Sequence, residues 1–353
     1  GSRNLEHQYL VWQLFALTSW MAVRQCSWPI TGALQRRISQ GRHASSLASL
    51  VHGHAATRPG SLALSAPQQG VAWNYEQLSQ KSSAAAGVLA KMGYKHGDVV
   101  VTDLPNSAEN LVLQVACAHL GVAVATVKDA KALAALGDAA TVRGAVTHTG
   151  GLLQDAELPL PAMLVPELDA SLGALGVGDA SASPMLVEAE EGAPLGYWST
   201  TKPLTNGEAL GSMGTDAKEK LALTSADRVL VSITLCHAFG IGSAVGGALL
   251  AGAAVVLPGA SGIRGCGSPS QRAQVTLEVL ASERCSVLFS DVHTLKALPP
   301  PDGADLSALR TGVCKIGSGA TFLDDVREAA VGPNGEMRPL AYAGVPFVAI
   351  GKK

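Results

Sequence analysis

Acidic side chains are missing from a long amino-terminal stretch: no Asp or Glu lies between Glu6 and Glu76, while Arg24, Arg36, Arg37, Arg42 and Arg58 all fall there. Aromatic residues are scarce as well, at 4% of 353 residues, and charged ones make up 15%. An aromatic-rich core is thereby excluded. The 47% hydrophobic share leans on Ala, Val and Leu, and with 39 Gly it predicts close, small-residue packing between helices and sheet. So apolar a chain, with a net charge of −2, does not stay disordered. Its 26 basic residues face 28 acidic ones, which leaves no electrostatic footprint for sequence-specific nucleic-acid binding.

Cysteine is sparse and scattered. Cys26, Cys117, Cys236, Cys266, Cys285 and Cys314 stand singly, with no C-x-x-C pair and no His cluster at ligand spacing. That excludes a disulfide framework and a zinc site, so buried free thiols are expected and no metal is assigned. Long apolar runs are missing too. Tyr9–Val23 is short of the roughly 20 residues a spanning helix needs and is interrupted by Gln13, which suits a partner-facing or interfacial helix better.

What the amino terminus does have is a targeting composition. From Met21 it reads MAVRQCSWPITGALQRRISQGRHASS, rich in Arg and Ser and free of acids. An acid-free basic amphipathic segment is drawn to a negative-inside membrane. The expectation is a mitochondrial presequence, with a plastid one as runner-up; Met21 suits a translation start. Residues 1–46 also suit a retained basic and apolar arm laid on other protein subunits of a larger assembly, a membrane-associated complex among the candidates.

Beyond the arm, strand and helix patterns alternate. LASLVHGHAATR reads as a helix ending before Pro59, SLALSAPQQGVAWN as two strands around a turn, and YEQLSQKSSAAAGVLAKM as a helix closed by Gly93. VVVT, VAVAT and RGAVTH read as strands with helices between them, AENLVLQVACAHL closing on Gly121. Residues from about 150 to 196 carry Pro159, Pro161, Pro166, Pro184 and Pro194 and read as an irregular connector. The alternation then returns with DRVLVSIT, a Gly-rich helix after His237, AAVVLP, QRAQVTLEVLASERC, SVLFSD, HTLKAL, GVCKIGSG and FLDDVREAAV, the last read as a helix. The fold class is α/β: two tandem αβ layers of mostly parallel sheet flanked by helices. The expected divisions are an arm over 1–46, a first subdomain over 47–190 and a second over 191–353.

These elements carry ordered motifs. Ala55–Leu64 reads A-x-x-x-P-G-x-x-A-L, and Trp73–Leu78 reads W-N-Y-x-x-L. Gly93–Glu109 ends in L-P-N-S-x-E, and Leu120–Ala125 is L-G-V-A-V-A. Leu235–Leu257 places His237 and Gly240 ahead of a helix and a strand, and Asp305–Ala320 runs into Gly317-Ser318-Gly319. From about residue 47 to 350 this order resembles the amino-terminal part of the AMP-forming acyl-CoA synthetases, the adenylate-forming superfamily, and most resembles its medium-chain branch. The resemblance implies the large-domain fold of those enzymes without its β-barrel part. It also implies a reaction in which a carboxylate and ATP–Mg²⁺ give an acyl-adenylate that a thiol then captures.

Where the family carries T-S-G-T-T-G-x-P-K-G, a backbone cradle for phosphates, this chain has Ser199-Thr200-Thr201-Lys202-Pro203-Leu204-Thr205-Asn206, with no glycine. Where the family has a Tyr-Gly-x-Thr-Glu turn holding adenine, phosphate and Mg²⁺, the matched text is Tyr342-Ala343-Gly344-Val345-Pro346-Phe347. Thr and Glu are replaced. The family's ribose-binding Asp, a following Arg and the mobile carboxy-terminal domain with its Lys lie beyond that turn, and this sequence ends at Lys353. The resemblance thus implies a vestigial nucleotide site of Ser199, Thr200, Thr201, Lys202, Gly317, Gly319 and Tyr342, and a vestigial acyl pocket at His237 and Gly240. No catalytic residue is assigned, and Asp324, Asp325, Glu188, Glu190 and Glu191 receive no acid–base role. The expected function is an inactive synthetase-like subunit of a large mitochondrial complex such as a respiratory complex, the ATP synthase or the ribosome. No cofactor is expected. The alternative is a ligase fragment or acyl/adenylate sensor that needs a second chain and keeps ATP and Mg²⁺.

Overall fold

Val and Ala in short runs bury both faces of a strand, which suits parallel sheets covered by helices on each side. The computed structural model describes residues 46–127, 129–148, 151, 153–164, 186–187, 190–198, 202–235, 237–259, 268–316, 326–327, 330–331, 337–338 and 341–351. The amino-terminal arm, with Tyr9–Val23, lies outside them. Among the described residues no helix is long and apolar enough to cross a membrane.

Strands β1 (Leu62–Ala66), β2 (Val71–Asn74), β9 (Arg228–Val231), β10 (Ala254–Val256), β11 (Val287–Asp291), β12 (Thr311–Ile316), β13 (Val326–Arg327) and β17 (Val345–Gly351) form one sheet, ordered β13-β17-β12-β11-β9-β10-β1-β2. Strand β16 (Ala341–Tyr342) pairs with β17. Its centre is parallel, and antiparallel pairs occur where β2 meets β1 and where β13 and β16 meet β17. A second sheet has the order β6-β5-β3-β4-β7-β8, from β3 (Val99–Thr102), β4 (Ala123–Thr126), β5 (Val142–Thr147), β6 (Met163–Leu164), β7 (Pro194–Trp198) and β8 (Leu204–Thr205). Two mostly parallel sheets flanked by helices are what the sequence predicts. Their membership does not follow the division at residue 190, however: β1 and β2 join the later strands, and β7 and β8 join the earlier ones.

Side-chain alternation assigns the layers. Val100, Val124 and Val146 of the second sheet share a core with Val229, Val231, Val255 and Phe289 of the first. The intervening Val99, Val101, Ala123 and Ala145 face a separate cluster with Leu136 of α4 (Ala130–Gly137). On the first sheet, Leu230, Val256, Leu288 and Cys314 face Ala273, Val279 and Leu280 of α7 (Pro269–Ser282) and Leu295 of α8 (Val292–Ala297). Between the sheets lie α1 (Leu47–Thr57), α2 (Tyr75–Met92) and α3 (Ala108–Leu120). Helix α3 is buried nearly all round and touches β1 of one sheet and β4 of the other. Its ends are fixed locally: Ser107 accepts from the Asn110 N–H, and Gly121 closes it at φ 67°.

Two further helices fill the layer, and each begins with wide π turns. Residues Gly207–Gly214 run into α5 (Thr215–Lys220), and Phe239–Gly246 run into α6 (Gly247–Ala251). A Cβ on Gly242 would lie 3.1 Å from Met213 Sδ, and one on Gly246 3.0 Å from Leu210 Cδ2, so glycine sets how closely these helices approach. The first of them goes unassigned in the sequence, where Gly207, Gly211 and Gly214 interrupt its pattern. The stretch FLDDVREAAV, expected as a helix, instead contains β13 and β14 (Ala330–Val331), and β14 pairs with β15 (Met337–Arg338). Strand β13 takes its backbone partners from the edge of β17, and β14 takes its own from β15, so long-range pairing wins over the local helical pattern.

The seam between the sheets is held by Asn106, 6% exposed, in the L-P-N-S turn after β3. Its Nδ2 donates to the Val231 carbonyl at 3.1 Å and to the Ile233 carbonyl, and its Oδ1 accepts from the Leu235 N–H at 2.9 Å. Asn106→Leu keeps the volume but strips partners from these backbone groups, and is expected to cost roughly 2–4 kcal/mol in chemical denaturation.

A second polar contact joins α1 to its neighbours. His52 Nδ1 lies 2.6 Å from Ser79 Oγ, and its Nε2 lies 3.1 Å from His119 Nδ1. Burial, and then the charge His119 would carry, hold the His52 pKa down to about 4. An unfolded histidine takes its proton near pH 6.5. Between about pH 6.5 and 4 the unfolded chain therefore binds more protons, and stability falls as pH falls, by up to about 3 kcal/mol from this residue. Urea midpoints measured from pH 7.5 to 4 are expected to show that decline, and His52→Gln to flatten it.

Candidate functional site

Ligands of parallel α/β sheets bind beyond the carboxyl ends of the strands, where helix amino termini and loops converge. In the first sheet β9, β11 and β12 end side by side, with Val231 opposite Phe289 and Asp291 opposite Lys315. The chain leaving β9 turns at Leu235, which Asn106 fixes, and brings His237 over the end of β12. The Phe239 N–H donates to His237 Nδ1 at 3.1 Å, and His237 Nε2 lies 2.9 Å from Lys315 Nζ. The Phe239 ring covers the amine from 6.0 Å. Lys315 is 9% exposed. Burial pushes its pKa down to about 8, against the opposing pull of Asp291. Burial, and then Lys315, hold His237 down to about 4, so the ring is neutral at neutral pH.

Gly240, the other pocket position expected from the sequence, is buried directly behind this pair. A Cβ there would collide with the Thr234 carbonyl. Its role is to let the first helical turn approach the chain leaving β9.

The opposite ends of the same strands carry structural ion pairs. Asp227 accepts from Arg310 Nε and Nη2 at 2.9 Å each, from Ser286 Oγ at 2.7 Å and from the Thr224 N–H at 2.7 Å. Burial alone would raise its pKa, but these donors outweigh it and hold the carboxyl below the usual range. This network pins the amino ends of β9, β11 and β12 and leaves their carboxyl ends to the histidine–lysine pair.

The remaining sequence-predicted residues are spread out. Ser199, Thr200, Thr201, Gly317 and Gly319 lie outside the described residues. Lys202 is exposed between β7 and β8, which pair antiparallel with Gly196 opposite Leu204. Thr205, three residues on, works as a helix cap: its N–H donates to Glu208 Oε2 at 2.9 Å, and its Oγ1 accepts from the Glu208 N–H at 3.2 Å. Tyr342 packs with Leu295, Leu298, Leu309 and Phe347, and its hydroxyl donates to the Pro299 carbonyl at 2.7 Å. After it the chain makes a two-residue hairpin: Ala343 at φ 51° and Gly344 at φ 80° join Tyr342 to its partner Val345. Both central residues are left-handed, the requirement of a tight hairpin turn. Lys315 went unmarked in the sequence, where it reads as one polar residue in a strand; only the strand register brings it to His237.

This architecture resembles that of the amino-terminal domain of acyl-CoA synthetases. Residues 51–169 match the AMP-binding enzyme family. Among solved structures, a fatty acyl CoA synthetase of Mycobacterium tuberculosis superposes with a TM-score of 0.64 at 14% identity, covering 83% of this chain and 68% of that one. VinN in complex with 3-methylaspartate gives 0.61 at 16% identity, covering 78% and 72%. The O-succinylbenzoate coenzyme A synthetase of Bacillus subtilis gives 0.61 at 19% identity, covering 76% of this chain and 54% of that one. No curated protein matches at the sequence level.

That fold family implies ATP and Mg²⁺, and the described residues at the matched tyrosine turn do not fit them. The Tyr342 hydroxyl and ring are engaged within the fold, and the turn after it presents no carboxylate. Among the described residues no group of three or more His, Cys, Asp or Glu side chains gathers as a protein-only metal site would; a nucleotide-bound Mg²⁺ needs one or two carboxylates beside the phosphates, and the matched turn supplies none. Tyr342→Phe is therefore expected to lower stability by about 1 kcal/mol, the worth of one hydrogen bond, with no change in the melting response to ATP.

Proposed function

We propose that this chain keeps the adenylate-forming fold without its adenylation chemistry and serves as a structural, accessory subunit of a larger mitochondrial assembly. The observation that carries this reading is the hairpin at Tyr342–Val345. At the position matched to the family's Thr-Glu turn, the backbone closes on Ala343 and Gly344, and the flanking tyrosine is tied to Pro299. A triphosphate with its metal needs hard oxygen ligands and fixed donors there. The glycine-free stretch from Ser199 to Asn206 supports the same reading, as does the use of Thr205 as a helix cap. The acid-free, Arg-rich stretch after Met21 supports mitochondrial targeting, and the arm over 1–46 supplies a surface for other subunits.

The second reading is a ligase fragment or acyl/adenylate sensor completed by another chain. It draws on His237 and Gly240 standing at the carboxyl ends of the strands, where ligands of such sheets bind.

Purified chain mixed with ATP, Mg²⁺ and a panel of carboxylic acids is expected to release no pyrophosphate above the acid-free control. Carboxylate-dependent release would overturn the accessory reading. A melting shift of several degrees with an acyl-adenylate analogue would favour the sensor. Native purification from mitochondria is expected to bring the chain down with a multi-subunit complex.

A further inference from the structure

The protons around His237 can be counted. A neutral imidazole offers one N–H and one lone pair. The Phe239 N–H points at Nδ1 from 3.1 Å, so Nδ1 supplies the lone pair and Nε2 carries the hydrogen. In that tautomer Lys315 Nζ, 2.9 Å from Nε2, accepts from it only as the neutral amine, since an ammonium group has nothing to accept with, and the contact therefore disfavours the ammonium form. The other groups around the amine agree. The Phe239 ring covers one side. Asp291, the one acid facing it from β11, is taken up by Arg272 at 3.0 Å and by the Thr294 N–H at 2.7 Å. On the other side β12 pairs with β17.

We propose that the contact with His237 raises the neutral fraction of the Lys315 amine, and that this amine is an acceptor site for acyl groups delivered as thioesters. An uncharged amine is a nucleophile, and an ammonium is not. In the step itself, a turn about the last bonds of the lysine frees the Nζ lone pair from Nε2–H. The pair adds to the thioester carbonyl carbon. The C–S bond breaks, and its electrons leave on sulfur as a thiolate, which takes the proton that Nζ sheds. The products are an amide at Lys315 and a free thiol. His237 keeps its proton throughout, and its vacated Nε2–H is a donor for the carbonyl oxygen as charge develops there. This inference does not rest on the accessory reading and holds whether or not the chain works on nucleotides.

The test is acetylation of the intact chain by a small thioester, S-acetyl-N-acetylcysteamine, followed lysine by lysine by peptide mass spectrometry from pH 6.5 to 9.5. An amine well below its pKa gains reactivity about tenfold per pH unit; Lys91 and Lys131, both exposed, are the internal comparison. Lys315 is expected to react about tenfold faster than either at pH 7.5, the larger neutral fraction outweighing lower intrinsic nucleophilicity and burial, and to level off near pH 8. In His237→Phe, checked for native folding by circular dichroism, the levelling should move up by at least a unit. A Lys315 rate no greater than those of Lys91 and Lys131, or one still climbing tenfold per unit at pH 9.5, overturns the proposal. Both of those outcomes are measured on the unaltered chain, so they decide the matter even if the variant does not fold.

Discussion

The described fold depends on one amide. Asn106 sits where β3 ends, between two sheets that share no strand, and its side chain meets three backbone groups of the segment leaving β9. Buried backbone groups need partners, and here no regular ladder can provide them, because the chain is turning from strand to helix. Asparagine fits because it both donates and accepts within one short side chain. Around it the contacts are cooperative: the Asn106 carbonyl accepts from Gly259, and Gln69 accepts from the Ala108 N–H while donating to Glu109. The start of α3, the turn after β1 and the exit of β10 are thereby fixed to one another.

That seam explains why the middle layer is built from small residues. Helix α3 must touch both sheets, and the helices beginning at Gly207 and Phe239 must share the remaining space. Met213 rests against Gly242 and Leu210 against Gly246, positions where a methyl group would already be tight. Dense interiors do not absorb added volume cheaply. The low aromatic content of the chain and its abundance of glycine and alanine are thus consequences of sandwiching a helix layer between two sheets. Tyr75, Tyr94, Trp198, Phe239 and Phe289 are exceptions, and the two phenylalanines pair with each other at 5.6 Å beside the histidine–lysine pair.

The class of fold was legible because its signals are local and repeat: capped helices closing on Gly93 and Gly121, and valine runs of strand length. The exchange of β1–β2 and β7–β8 between sheets was not, since strand order is a long-range choice and both alternatives bury the same apolar faces. The helix from Gly207 was masked by its glycines, although Thr205-Asn206-Gly207-Glu208 is a capping-box pattern and could have announced it. At the site, His237 and Gly240 were legible through the family resemblance. Their neighbour Lys315 was not, because nothing in a strand's sequence says which side chain will meet a loop some eighty positions earlier. Tyr342 was legible as a residue of interest and less so in its use: a tyrosine beside a turn can stack on a ligand or on its own core, and here Leu295, Leu298 and Phe347 fill the ring's surroundings.

The two ends of the first sheet treat charge in opposite ways. At the amino ends of its strands, Asp227 is charged and answered by Arg310 in a two-pronged contact, with Ser286 and Thr224 filling the remaining positions. Such an arrangement stabilises because each oxygen is satisfied before it is buried. At the carboxyl ends a lysine is buried with a neutral histidine in place of a carboxylate, and the nearest acid is turned toward an arginine. Stability alone would favour a leucine in that position. A fold that pairs its buried charges with care at one edge keeps at the other, where such sheets bind ligands, an amine that makes no ion pair among the described residues, which is the setting the proposed reactivity of Lys315 calls for.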